Sequence, residues 1–479
     1  MRNFIKILSI VCLLASCKQT SVKAQSGSEN SNVSEKLNTY LNRLEKNGFS
    51  GSILVAQKGK ILLEKGYGYA NRDENVSCTP STVFDIGSIT KQFTGAAILK
   101  LEMQGKLSVQ DKVSSYFSDL PKDKSDITLH QLLTHSSGLP PGIGDDYTEI
   151  STQKFVNEAF GKKLLFKPGS AYEYSNVGYS ILGIIIEKVS GVSYEEYLAK
   201  NLWTPARMKQ TGYKKPEFRE IAVGYKNNKK WGRPTEKEWS DNGPYWHLKA
   251  NGGVLSTVQD MYKWHLALLN NEILDSKAKA KYFTKHIEEG EGANSYYGYG
   301  WAIFPTPRNT ELIAHNGGNG IFFADMWRYL EEDITIIIMT NAVNRKVERI
   351  ASNVAGILLK PGFDPNVTKD LGNKEIEEEL VDQLIEKFMA SIASSDKKVW
   401  KTFIETHTAS HFMNSFPMEQ HLNYFKEFHD NLGGGEVVQI KLQENEVVFH
   451  VKINDEISVV NFGIAMDAKD KFKIEGIQM

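Results

Sequence analysis

The chain has 479 residues, more than the roughly 100–200 of one typical domain, so one large domain plus a smaller one is expected. Its 57 lysines and arginines nearly balance 58 acidic residues, and no basic block or RNA-binding aromatic pattern follows a phosphate backbone, which excludes nucleic acid as a partner.

At the N-terminus, Arg2 and Lys6 precede an apolar run from Ile7 to Ala15, well short of the ~20 residues that span a bilayer. The run reads as an export leader. Leu14-Ala15-Ser16-Cys17 resembles the bacterial lipobox, which implies a signal peptide over 1–17, a lipidated Cys17 and a periplasmic protein tethered to a membrane of the cell envelope. Cleavage after Val22-Lys23-Ala24 is the competing reading, and both export the chain. With Cys17 lipidated, only Cys78 remains in the mature chain, so no intramolecular disulfide is possible. Residues 18–35 carry too few apolar side chains to fold and are expected to be a flexible tether.

The catalytic-sized domain is expected over 36–360. Ser50 to Ala70 reads as a hairpin around Gln57-Lys58-Gly59-Lys60. From Ser88, apolar residues at Phe93, Ala97 and Leu101 predict a buried helix that stops at Gly105. A helical stretch over 126–140 and an apolar helix after Asn176 form a mostly helical middle section. Phe322 to Tyr329 and Ile334 to Asn341 predict a central antiparallel pair, closed by a helix over 347–359. Prolines and glycines mark a linker over 361–374. Beyond it, Ile376, Leu380, Val381, Leu384, Ile385, Phe388 and Met389 begin a helical stripe, and alternating residues from Val438 to Ile477 predict an antiparallel meander. Helices followed by a curved sheet over 375–479 make a small α+β domain that resembles the nuclear-transport-factor-two-like fold.

Three motifs carry chemistry. In Ser88-Ile89-Thr90-Lys91, positions i and i+3 share a helix face, so the lysine amine can sit beside the serine hydroxyl at a helix N-terminus. Ser151/Lys154, Ser276/Lys279, Ser394/Lys397 and Ser395/Lys398 share the spacing, but only Ser88 opens a strongly apolar helix, where burial lowers the lysine pKa and makes it a base. The competing reading is a capping serine followed by a solvated lysine. In Tyr174-Ser175-Asn176, between a Pro168-Gly169 turn and a helix, the phenol is placed to ionise and act as a general base; the structural alternative is a packed tyrosine and a capping asparagine. In His315-Asn316-Gly317-Gly318, the glycines let the backbone approach an acyl group, so the Gly318 and Ser88 amides can bind an oxyanion; the alternative is a turn with an exposed histidine.

In this order the motifs resemble the serine β-lactamase and penicillin-binding-protein superfamily, in its class C β-lactamase, D-alanyl carboxypeptidase and esterase branch. ITLHQLLTHSSGLP at 127–140 and Gly252 to Thr257 add to the resemblance, which covers about residues 36–360. It implies an α/β (α+β) fold with a central antiparallel sheet, flanking helices and a helical subdomain. It also implies Ser88 as nucleophile, Lys91 and Tyr174 as the proton-transfer pair, Asn176 as a substrate-orienting amide, and no cofactor or catalytic metal. The branch's β-lactamases carry Lys-Thr-Gly where this chain has His315-Asn316-Gly317, so the cation for a β-lactam carboxylate is missing or depends on pH near neutrality. His407, His411, His421 and His429 are expected to be scattered surface residues. The expected function is a Ser88 acyl-enzyme that hydrolyses an ester, amide or D-amino-acid peptide, with a small-molecule or peptide substrate. Transfer to an alcohol, β-lactam hydrolysis, and an inactive peptidoglycan-binding envelope protein are the alternatives.

Overall fold

The computed structural model describes residues 25–363, 365 and 378–478, apart from 227–228, 241–242, 291, 343–346, 415–416, 444–445, 454–455 and 466–471. The leader, Cys17 and most of the expected linker lie outside the described residues. The chain divides into two compact units, Met1–Asn366 and Val367–Met479.

Helix α1 (Gln25–Lys46) begins inside the stretch expected to be a flexible tether. This corrects the expectation, and the cause is a stripe every three to four residues: Leu37 and Leu41 are buried, with Val33 and Leu44 packed against the same core. Strands β1 (Gly51–Gln57) and β2 (Lys60–Tyr67) form the expected hairpin, with Lys58 and Gly59 both at positive φ in its two-residue turn. Short ribbons pair β3 (Tyr69–Asn71) with β4 (Val76–Ser77), β5 (Phe84–Asp85) with β8 (Leu255–Ser256), and β6 (Gly224–Lys226) with β7 (Lys229–Gly232). Strands β9 (Ile287–Glu288), β10 (Tyr296–Tyr297), β11 (Ala302–Pro305), β12 (Glu311–Gly318), β13 (Phe323–Tyr329) and β14 (Ile334–Thr340) complete the main sheet. Among the described residues its eight strands run antiparallel in the order β2-β1-β14-β13-β12-β11-β10-β9.

Strand β14 is buried along its whole length, on both faces, which explains its nearly continuous apolar run. Ile334, Ile336 and Ile338 face one core with Ile53, Val55, α1 and helix α9 (Ile350–Leu359). Ile337 and Met339 face the other with Leu54 and the helical section. That section contains α2 (Thr90–Met103), α3 (Leu129–Leu133), α4 (Thr152–Gly161), α5 (Asn176–Ser190), α6 (Tyr194–Leu198), α7 (Val258–Leu269) and α8 (Ser276–Tyr282). The helix expected over 126–140 shrinks to α3. A capping box between Thr128 and Gln131 starts it, and His135, in the left-handed region at φ 56°, follows its end. Cys78 is buried and free.

The second unit places α10 (Glu378–Ala393), α11 (Lys397–His407), α12 (Ser410–Met413) and α13 (Met418–Leu432) before a four-stranded meander of β15 (Glu436–Gln443), β16 (Glu446–Ile453), β17 (Glu456–Ala465) and β18 (Lys473–Gln478). Ile376, expected to start the stripe, lies outside the described residues, and Leu380 is exposed, because the buried face of α10 runs through Val381, Leu384, Ile385 and Phe388. Phe388 centres the core, with its ring 5.0 Å from Phe462 and 5.5 Å from Phe428. The histidines here are not all on the surface: His421 is buried against the Met413 carbonyl, and His429 Nδ1 meets the Ile392 carbonyl at 2.7 Å. They tie helices together, which is why they are drawn inward.

Candidate active site

Ser88 sits where β5 turns into α2. The Ile86 amide donates to the Val254 carbonyl at 3.0 Å, and Gly87, at φ 50°, swings the chain into a short 3-10 turn, Gly87–Ile89. Helix α2 is buried from Thr90 to Leu99, so Lys91 enters the interior with it. Thr94 Oγ1 donates to the Ala250 carbonyl at 2.6 Å and Thr90 Oγ1 accepts from the Val254 amide at 3.2 Å, which lays the 250–254 segment along the helix.

Lys91 Nζ lies within hydrogen-bonding distance of three oxygens: Ser88 Oγ at 3.0 Å, Asn176 Oδ1 at 2.8 Å and the Asn251 carbonyl at 2.8 Å. The amine is fully buried and its pKa is held well below the usual lysine value, chiefly by burial, with Asp146 pulling weakly the other way. Burying an ammonium costs several kcal/mol unless an anion pairs with it. Here the hydrogen-bond partners are neutral, so the uncharged amine is favoured. The two carbonyl oxygens can only accept, so they take both N–H groups of that amine and leave its lone pair toward the Ser88 hydroxyl. Three of the decoy motifs are arranged otherwise: Ser151 caps α4 through the Lys154 amide, Lys279 Nζ donates to the Asn270 carbonyl, and Lys397 Nζ donates to Glu419.

Tyr174 and Asn176 flank the N-terminus of α5. Ser175 caps that helix by accepting from the Gly178 amide at 3.1 Å, and its own hydroxyl donates to the Pro140 carbonyl. Tyr174 reaches the Ser88 hydroxyl, and its ring centre lies 4.6 Å from Lys91 Nζ. Burial pushes its phenol above the ordinary value, with the Ser88 bond opposing. The expected ionised phenol is therefore disfavoured, because burial opposes a phenolate as it opposes an ammonium. His135, which sequence reasoning left unassigned, holds the segment in place: its Nδ1 accepts from the Ser175 amide at 2.9 Å, and its ring centre lies 4.2 Å from that of Tyr174 and 4.6 Å from that of Tyr297, both rings tilted against it. Asn251 was likewise missed, because a main-chain acceptor leaves no trace in side-chain type.

Strand β12 closes the site. A Cβ on Gly317 would lie 2.4 Å from the Ser88 amide nitrogen, and one on Gly87 would lie 2.6 Å from that of Gly318, so only glycines allow this approach. The Ser88 amide is thereby brought against Gly317, and the Gly318 amide against Gly87. His315 departs from expectation. It is buried, its Nδ1 donates to the Asn316 carbonyl at 2.5 Å, and Nε2 accepts from the Tyr297 hydroxyl at 2.9 Å. Burial first, then Lys91, pushes its pKa down to about 3, so it is not a cation that switches on near neutrality. Ser88, Tyr174, His315, Gly317 and Gly318 line a cavity of about 1150 Å³, together with Glu289 and Tyr297.

The beta-lactamase family model matches residues 39–358, two-thirds of the chain and all of this site. The chain belongs to the beta-lactamase family and is a serine hydrolase by that membership. It is 30% identical to penicillin-binding protein 4* of Bacillus subtilis over 314 residues, 62% of this chain and 69% of that one. The solved D-amino acid amidase of Ochrobactrum anthropi shares the fold at a TM-score of 0.57 and 25% identity, covering 69% of this chain and 98% of the amidase. An octameric penicillin-binding protein homologue from Pyrococcus abyssi shares the fold at 0.61 and 24% identity, covering 90% of this chain and 96% of that one.

Proposed function

We propose that the protein hydrolyses small esters, amides or D-amino-acid peptides through an acyl-enzyme on Ser88. The observation that carries this is the buried Lys91 amine, held by two carbonyl oxygens at 2.8 Å and standing 3.0 Å from Ser88 Oγ. In acylation the Ser88 proton passes to Lys91 Nζ while Oγ bonds to the substrate carbonyl carbon. The Ser88 and Gly318 amides hold the resulting oxyanion. The leaving group then takes a proton relayed from Lys91 through the neutral Tyr174 hydroxyl. Water attacks the ester so formed, its proton returns by the same route, and the acid departs from a restored serine. Similarity to a D-amino acid amidase supports an amide or D-peptide substrate.

A β-lactam lacks its usual partner here. His315 is neutral and Glu289 lines the same cavity, so a substrate carboxylate finds no cation from the third motif. Losing one charge-assisted contact costs about 1.5–3 kcal/mol, roughly ten- to a hundredfold. An ester without that carboxylate loses nothing. Export and lipid attachment at Cys17 are also part of the proposal, resting on the Leu14–Cys17 match. If Cys17→Ala fractionates with membranes as the parent does, the anchor is elsewhere.

The central test is labelling with a fluorophosphonate probe. Ser88→Ala should abolish it, and Ser395→Ala should leave it intact. Labelling that survives the first change refutes the site. The same preparation, assayed from about pH 6 to 8, should turn over nitrophenyl acetate faster than a chromogenic cephalosporin at a constant ratio. A ratio that moves toward the cephalosporin as pH falls would restore a titrating His315.

A further inference from the structure

One buried carboxyl joins the loop that carries Ser88 to the turn that follows Gly318. Asp85, the last residue of β5, is 2% exposed. Its Oδ1 accepts from the Gly87 amide at 2.8 Å, and its Oδ2 accepts from Asn319 Nδ2 at 3.1 Å. Asn319 is itself fixed: its Oδ1 accepts from the amides of Ile321 at 3.0 Å and Phe322 at 2.8 Å, and its own amide donates to the Phe322 carbonyl. Asp85 is held in turn by the register of β5, opposite Leu255.

The acid is costly where it stands. Burial pushes its pKa up to about 7, the Gly87 and Asn319 bonds pull it back, and Asp146 adds to the upward push. The fold does not need a charge at this position, because an apolar residue would pair in β5 as well. What an apolar residue cannot do is accept from two donors on two different segments at once. One donor adjoins the Ser88 amide in sequence and the other adjoins the Gly318 amide.

We propose that Asp85 is a positioning residue that sets the separation between the Ser88 and Gly318 amides by bonding Gly87 with one oxygen and Asn319 with the other. The inference rests on the reading of those amides as the oxyanion site. Oxyanion donors act over a narrow window of distance, about 2.7–3.1 Å. A misplacement of about 1 Å costs on the order of a hundredfold in rate.

The test exchanges the two side chains. In Asp85→Asn the amide oxygen can still take the Gly87 N–H, but its NH2 group then faces that of Asn319, donor against donor. Asn319 cannot turn over without withdrawing its oxygen from Ile321 and Phe322. Adding Asn319→Asp restores complementarity, since one carboxylate oxygen keeps those two amides and the other accepts from the NH2 group that the first substitution introduces. Asp85→Asn should lower kcat for nitrophenyl acetate about 10- to 100-fold, with KM changed by less than about threefold and thermal unfolding kept near that of the parent. The double variant should recover to within about threefold of the parent kcat. Unchanged kcat in Asp85→Asn overturns the proposal, and so does a double variant no better than the worse single one. If Asp85→Asn loses its fold instead of its kcat, the link is structural and the positioning role fails. Ser88 labelling in the parent is read separately, so failure of the hydrolase reading shows there and failure of this inference shows only in the exchange.

Discussion

At Lys91, three oxygens surround an amine that has two N–H groups to give when it is uncharged. The third contact must then run the other way, with Ser88 as donor. This makes the acid side of the pH profile a property of Lys91: as pH falls through its pKa the amine gains a proton, the lone pair is lost and kcat/KM drops. Replacing a neutral neighbour with an anion should raise that pKa. Asn176→Asp keeps the oxygen that accepts from Nζ and adds charge, so the acid limb should move up by about one to three pH units. A limb that stays put would remove Lys91 as the group that titrates. Tyr174→Phe should lower turnover by about 10²–10⁴-fold with the fold intact, and an unchanged rate would make the phenol a packing group.

At the scale of elements, the site is a helix start, a helix cap and a strand end held in contact. The helix starts were legible, because apolar residues at helical spacing follow Ser88 and an apolar run follows Asn176; the cap of the second was not, since Ser175 and not the asparagine accepts from the Gly178 amide. Strand β14 was legible from its β-branched residues, and β13 from its place just before that run. What could not be read was depth. His315 looks in sequence like a histidine on a turn, yet cross-strand pairing with Met326 and the tyrosines beside it remove it from water. His135 was equally silent, since its role comes from a left-handed backbone and tilted ring contacts with residues about 40 and 160 positions away. The close approach at Gly317 and Gly87 is the part of this assembly most open to test. Gly317→Ala places a Cβ 2.2 Å from the Ile86 carbonyl oxygen, so strand and loop must separate. About 10²–10³-fold of kcat should be lost, as for the loss of an oxyanion donor. Activity near that of the parent would show that the strand end has slack.

At the scale of the whole molecule, the second unit has a core of its own, in which Phe388 meets Phe403, Phe425, Phe449 and Phe462. A fragment from about residue 374 should therefore fold alone, with a cooperative thermal transition. A fragment without one would mean that this core is completed by something outside it. The helix stripe and the meander were visible in the sequence, whereas α1 was not, because its buried face depends on a sheet that forms from residues far along the chain.

The span of chain between Lys91 and its partners has a kinetic consequence. Asn176 lies 85 residues away and Asn251 lies 160 away, so the amine is desolvated only after long loops have closed. Until then it is a hydrated ammonium and Ser88 is an ordinary alcohol. A refolding chain should pass through a stage with nearly full helical signal and no reactivity, because non-local contacts form slowly. Reactivity toward the fluorophosphonate would then serve as a clock for the last step of folding, lagging behind the far-ultraviolet signal. If the two rise together, the site is assembled as early as its helices.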